Sequence, residues 1–135
     1  MYQKYVNHIP LYRQEKDWQN LGLELKRSTL ANWVIKTSQD WLTPMVDRLR
    51  EKLLAQNYLH ADETTLQVLK EEGKSAQTKS YMWVFATGEK SPAPVRIFRY
   101  HAGRSGSHAA DFLSGYTGYL HTDGYSGYGK VQGVT

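Results

Sequence analysis

Two tetrapeptides of one pattern, LHAD at Leu59 to Asp62 and LHTD at Leu120 to Asp123, stand in otherwise dissimilar surroundings. The first runs on as ETTLQVL and the second as GYSGYGK. If both lie on strands, alternation puts His60 and Asp62 on one face, with Leu59 and Ala61 on the other. His121 and Asp123 divide from Leu120 and Thr122 in the same way. Neighbouring strands lie about 4.8 Å apart, so two such carboxylates can share one divalent cation or hold two. Hard oxygen donors favour Mg²⁺ or Mn²⁺. Two such ions about 3.5 to 4 Å apart can activate water or a 3′ hydroxyl and stabilise the leaving oxygen of a phosphodiester, which is nuclease and strand-transfer chemistry. His60 and His121 offer a competing two-His, two-Asp site for zinc or iron, but two residues along a strand span roughly 6.6 Å, awkward for a single ion. The plainer alternative is that both aspartates serve turns, for which TDG is well suited. Glu63, next to Asp62, points to the opposite face of a regular strand and is expected either to support the metal ligands from behind or to be structural.

The elements that must position these residues begin at Tyr58. YLHADETTLQVLK reads as a strand, EEGKSAQTKS as a polar turn, YMWVFATG as a second strand, EKSPAP as a turn and VRIFRYHAG as a third strand. SHAADFLSG then reads as a brief helix capped by Ser107 and stopped by Gly115, and YLHTDGYSGY as a fourth strand entering a Gly-rich turn. In the order strand, strand, strand, helix, strand, the helix can carry the chain back so that the fourth strand lies beside the first and parallel to it. Asp62 and Asp123 then fall at matching heights.

Residues 1–57 carry a helical period instead. LYRQEKDWQNLG places Leu11, Trp18 and Leu21 on one stripe and stops at Gly22. Ser28 is positioned to cap a second helix packed through Leu30, Trp33 and Val34, and Thr43 with Pro44 to open a third with Met45, Val46, Leu49 and Leu53 on one face. This is the outline of a helix-turn-helix, in which Lys26, Arg27, Thr29, Asn32 and Lys36 could face DNA phosphates and bases. An ordinary helical hairpin with a solvated face is the alternative. The charge leans toward DNA: 17 Lys and Arg stand against 13 Asp and Glu, and nine basic against six acidic residues fall before Tyr58.

At 135 residues the chain suits one domain, or a helical module joined to a small mixed one, here divided as 1–57 and 58–135. The absence of cysteine excludes disulfides and thiolate zinc sites, and no apolar run approaches the roughly 18 to 20 residues needed to span a bilayer. A cytoplasmic protein without membrane contact is expected.

The stretches HIPLYRQEKDWQNLGLELKRSTLANWV, HADETTLQVL, YMWVFATG, FRYHAGRSG and LHTDGYSGY, in this order from about Lys4 to Lys130, together resemble the central part of bacterial transposases of the insertion sequence 66 family. The resemblance implies an RNase H-like core of the DDE type, which with the helix-turn-helix-like module read above makes an α+β chain ending in a mixed sheet. In that type two Asp and one Glu bind Mg²⁺ or Mn²⁺ to cut and join transposon ends. Asp62 matches the first family Asp, in ADET, and Asp123 the second, in TDGY. The implied partners are transposon-end DNA and further copies of the chain, at the bacterial nucleoid. GYSGYGKVQGVT, after Asp123, contains no carboxylate, so the family's Glu has no counterpart here, and the zinc-binding and zipper segments that precede the core are also missing. The expectation is a piece truncated at both ends whose sheet is incomplete and whose own activity is weak or absent. The strand around Leu120 would then expose an edge, to be covered by another copy, by the helical half or by a rearranged tail. Arg104, between glycines before the short helix, belongs to a polar capped loop or contacts the DNA backbone, and Tyr116, Tyr119, Tyr125 and Tyr128 serve edge-strand and turn packing or stack on unpaired bases. The rival from another class is a non-catalytic DNA-binding or dimerisation protein.

Overall fold

A computed structural model describes every residue, Met1–Thr135, and the chain forms a mixed α and β structure of two compact units, Met1–Val46 and Asp47–Thr135.

In the first unit, α1 (Tyr2–Tyr5) precedes α2 (Leu11–Asn20) and α3 (Arg27–Thr37). Gly22 ends α2 as its position suggests: at φ +82° it lets its own N–H reach Gln19 O and that of Leu23 reach Trp18 O, so two orphan carbonyls are satisfied. The start of α3 differs from the expected Ser28 cap. The helix begins at Arg27, and the cap comes from the neighbouring helix: Glu15 of α2 accepts the Arg27 amide at 2.7 Å and its guanidinium at 3.0 Å. The anion at a helix N-terminus satisfies a free amide and complements the dipole, which a serine inside the first turn cannot do.

Thr43 and Pro44 do not open a separately capped helix either. A π-helical turn, Ser38–Leu42, joins α3 directly to α4 (Thr43–Leu54), and Thr43 itself has helical angles. Pro44 lacks an N–H and its ring would strike the carbonyl four residues back; the wider π turn just ahead of it lets the helix continue. Of the expected packing residues Leu30 and Leu53 are buried, but Trp33 and Met45 are 54% and 56% exposed.

In the second unit the expected strands form one four-stranded sheet in the order β3-β2-β1-β4, from β1 (Tyr58–Gln67), β2 (Lys79–Thr87), β3 (Arg96–His101) and β4 (Tyr119–His121). β1, β2 and β3 are antiparallel, and β4, reached through α5 (Ser107–Phe112), runs parallel to β1. One face carries Leu59, Ala61, Trp83, Phe85 and Ile97, all buried. Phe112 of α5 stacks on Phe85 with ring centres 4.1 Å apart, and Trp83 meets His108 of α5 and Tyr128 of a 3₁₀ turn (Ser126–Lys130) edge to face. The end of α4 joins the same layer, where Arg50 donates to Phe112 O at 2.8 Å. The outer edge of β4 is met by the tail: Leu120 donates to Thr135 O at 3.0 Å, and Thr135 to Gly118 O at 3.2 Å. The tail is thus one of the expected covers.

Backbone packs on backbone where the loop before α5 crosses the 3₁₀ turn. A Cβ on Gly106 would lie 2.1 Å from Gly127 O, whereas one on Gly129 meets nothing within 4 Å. Urea denaturation should therefore show Gly106→Ala destabilised by about 1–3 kcal/mol, and Gly129→Ala within about 0.5 kcal/mol of the parent. A second expectation concerns His101, which stacks on His108 at 3.9 Å. Burial first, then the neighbouring His108 and Arg99, hold its pKa below the ordinary 6.5. A base harder to protonate when folded contributes stability that is complete above its unfolded pKa and lost as pH falls through the folded one. Stability should thus decline as pH drops below 6.5, and His101→Gln should shrink that decline in a denaturation series.

Candidate metal centre at the ends of β1 and β4

The parallel register pairs Tyr58 with Tyr119, Leu59 with Leu120 and His60 with His121, so the two LHxD tetrapeptides lie side by side in phase. Continuing that register brings Asp62 and Asp123 together. Oxygens of Asp62, Asp123 and also Glu63 all lie within 4.8 Å of one another. Both aspartates are exposed.

Each aspartate is held by a backbone amide through one oxygen. Asp62 Oδ1 accepts the Glu63 N–H at 2.8 Å, and Asp123 Oδ1 accepts the Tyr125 N–H at 3.0 Å. The turn is completed by Thr122 Oγ1, which accepts the Gly124 N–H at 3.3 Å, and by Gly124 at φ +82°. The turn bond of Asp123 uses Oδ1 and is compatible with its carboxylate lying within 4.8 Å of those of Asp62 and Glu63. Two exposed carboxylates with oxygen-only donors suit a hard divalent cation, which would also offset their mutual repulsion.

Glu63 departs from the sequence expectation in part. It does take the opposite, covered face, but its carboxylate extends to within reach of the cluster. Its side chain is fully buried, with Arg104 and Tyr128 as donors. A carboxylate on the core side of a strand must find such partners. Tyr128 was not legible as one of them, since it lies 65 residues away and no spacing rule joins the two.

His60 and His121 do not join the carboxylates. Their ring centres are 5.0 Å apart, and Tyr58 packs edge-on against both. Arg104 gives its Nε to Glu63 at 2.7 Å and covers the Tyr125 ring at 3.9 Å, so its guanidinium is occupied within the fold. On the first unit Lys26 and Asn32 are exposed and Thr29 is half-buried. Arg27 pairs with Glu15 at 3.0 Å, and Lys36 with Asp40 at 2.7 Å. No helix is long and apolar enough to cross a membrane.

Among curated proteins, the chain is similar to three uncharacterized proteins of Sinorhizobium fredii (strain NBRC 101917 / NGR234). It is 33% identical to y4qI over 129 residues, covering 93% of this chain and 24% of that protein. Identity to y4jD is 33% over 129 residues, with 93% and 25% covered, and to y4hP 28% over 135 residues, with 97% and 24% covered. The chain thus spans about a quarter of the length of these relatives. No solved structure matches it. The sequence profile of the transposase IS66 family matches residues 1–135, the whole chain, and the protein belongs to that family.

Proposed function

We infer that the chain is part of the catalytic core of a DNA transposase, in which Asp62 and Asp123 hold Mg²⁺ or Mn²⁺ for cutting and joining transposon ends. The observation that carries this reading is the in-phase parallel pairing of β1 with β4, which gathers the carboxylates within 4.8 Å. The order β3-β2-β1-β4, with a helix before the parallel fourth strand, supports an RNase H-like arrangement of the DDE type. Family membership supports DNA as the partner.

A divalent cation at this position would supply activation of the attacking hydroxyl and neutralisation of the phosphodiester charge. The chain's own residues bind and orient. Asp62 is carried by a strand paired on both sides, and the Tyr125 amide orients Asp123. The α2-turn-α3 pair of the first unit serves as a helix-turn-helix-like DNA contact, with Lys26 just ahead of α3 and Thr29 and Asn32 on it available. Arg27 and Lys36 reach phosphate by exchanging their carboxylate partners, and Arg104 lends positive charge near the site without leaving Glu63. Residues 124–135 contain no carboxylate, so the two positions of the DDE set assigned here are Asp62 and Asp123. The working assembly would be a homo-oligomer on DNA at the nucleoid.

The test separates this reading from a purely DNA-binding or dimerising protein. In a complete transposase carrying this segment, Asp62→Asn or Asp123→Asn should lower strand cleavage by more than about a hundredfold and leave DNA affinity nearly unchanged. Replacing Lys26, Arg27 and Lys36 by Gln should weaken DNA binding and reduce the slope of log affinity on log salt by about one per charge removed. Cleavage that survives both aspartate substitutions would favour the non-catalytic alternative.

A further inference from the structure

We propose that Glu63 is a positioning residue: a buried clasp that fixes the segment carrying Asp123 against β1, and not a third ligand of the cation. The proposal rests on the metal reading for its consequence and on the geometry for its substance.

Asp62 and Glu63 are adjacent on β1 and alternate between its faces. Asp62 is exposed on one face, while the Glu63 side chain has no solvent exposure on the other. Both Glu63 oxygens are in use. Oε1 accepts Arg104 Nε at 2.7 Å and pairs ionically with Nη2 at 2.5 Å, and Oε2 accepts the Tyr128 hydroxyl at 2.6 Å. Short bonds to a charged acceptor are the strong kind, and the guanidinium already neutralises this carboxylate. A cation on Glu63 would have to sit beside that positive charge or displace it.

From Glu63 the contacts lead to Asp123 by two routes. Through Arg104, the guanidinium covers the Tyr125 ring at 3.9 Å, the Tyr125 hydroxyl donates to Arg104 O at 2.6 Å, and the Tyr125 amide donates to Asp123. Through Tyr128, the 3₁₀ turn is pinned beneath β1: the ring is buried against Trp83, and the Tyr128 amide bonds Tyr125 O at 3.1 Å. The orientation of Asp123 is thereby set by the residue next to Asp62. The burial and the Glu63 bond that hold Tyr128 also push its hydroxyl pKa far upward, so it stays a donor throughout the working range.

Hydrogen exchange on the full 135-residue chain tests the clasp without any metal. Glu63→Gln and Tyr128→Phe should each speed exchange of the Tyr125, Tyr128 and Val131 amides by about tenfold or more, with the β1–β2 ladder unchanged. The double variant should add little, because the two residues form one bond. Unchanged segment amides in both variants, or a uniform rise across the ladder, would overturn the positioning role. A Mn²⁺ titration adds the consequence: affinity should fall several-fold in both variants at unchanged stoichiometry. If Tyr128→Phe leaves affinity intact while Glu63→Gln abolishes it, Glu63 is a ligand and the proposal is wrong. If the parent chain binds no Mn²⁺, the metal reading fails, and the exchange rates still decide the clasp.

Discussion

The second unit depends on one contact, the parallel pairing of β4 against β1. It is short, three residue pairs long, and it closes the longest connection in the sheet. Parallel strands cannot be joined by a tight turn, so the pairing needs α5 and its flanking loops to bring the chain back. Everything chemical follows from its phase. A slip of one residue would turn Asp123 to the face that Leu120 now takes and leave Asp62 without a companion.

Much of that pairing was legible because strand physics is local. Alternation, turn residues and the helix between the third and fourth strands give element order, and the repeated LHxD pattern gives the phase of β1 on β4. Gly22 and Gly115 could be read as helix stops, and both adopt positive φ, +82° and +84°. The helical half was less legible, for the opposite reason. Ser28 has the chemistry of a cap but stands inside the first turn, and the residue that caps α3 is Glu15, twelve residues earlier on another helix. Pro44 normally marks a helix start, yet the π turn before it absorbs the steric cost and the helix runs through. Propensity reports what a residue does on its own, and tertiary partners decide the rest.

The same limit applies at the site. The two aspartates announce themselves by a repeat, whereas the partners of Glu63 do not. They are Arg104 and Tyr128, 41 and 65 residues away. The Asp-Glu pair follows the geometry of a strand: consecutive carboxylates reach opposite faces, Asp62 toward solvent and Glu63 toward Arg104 and Tyr128. Arg104, a candidate phosphate contact in sequence, also pairs with Glu63 and covers the Tyr125 ring.

The central claim is that the two LHxD strands converge on one divalent cation. It is tested most directly by calorimetric titration of Mn²⁺ into the parent chain and into the Asp62→Asn, Asp123→Asn double variant, with the fold of both verified beforehand. Saturable binding to the parent that disappears in the variant is the predicted result. Equal binding to both chains, or none to the folded parent, would contradict it and leave the aspartates as turn residues of a DNA-binding or dimerising unit.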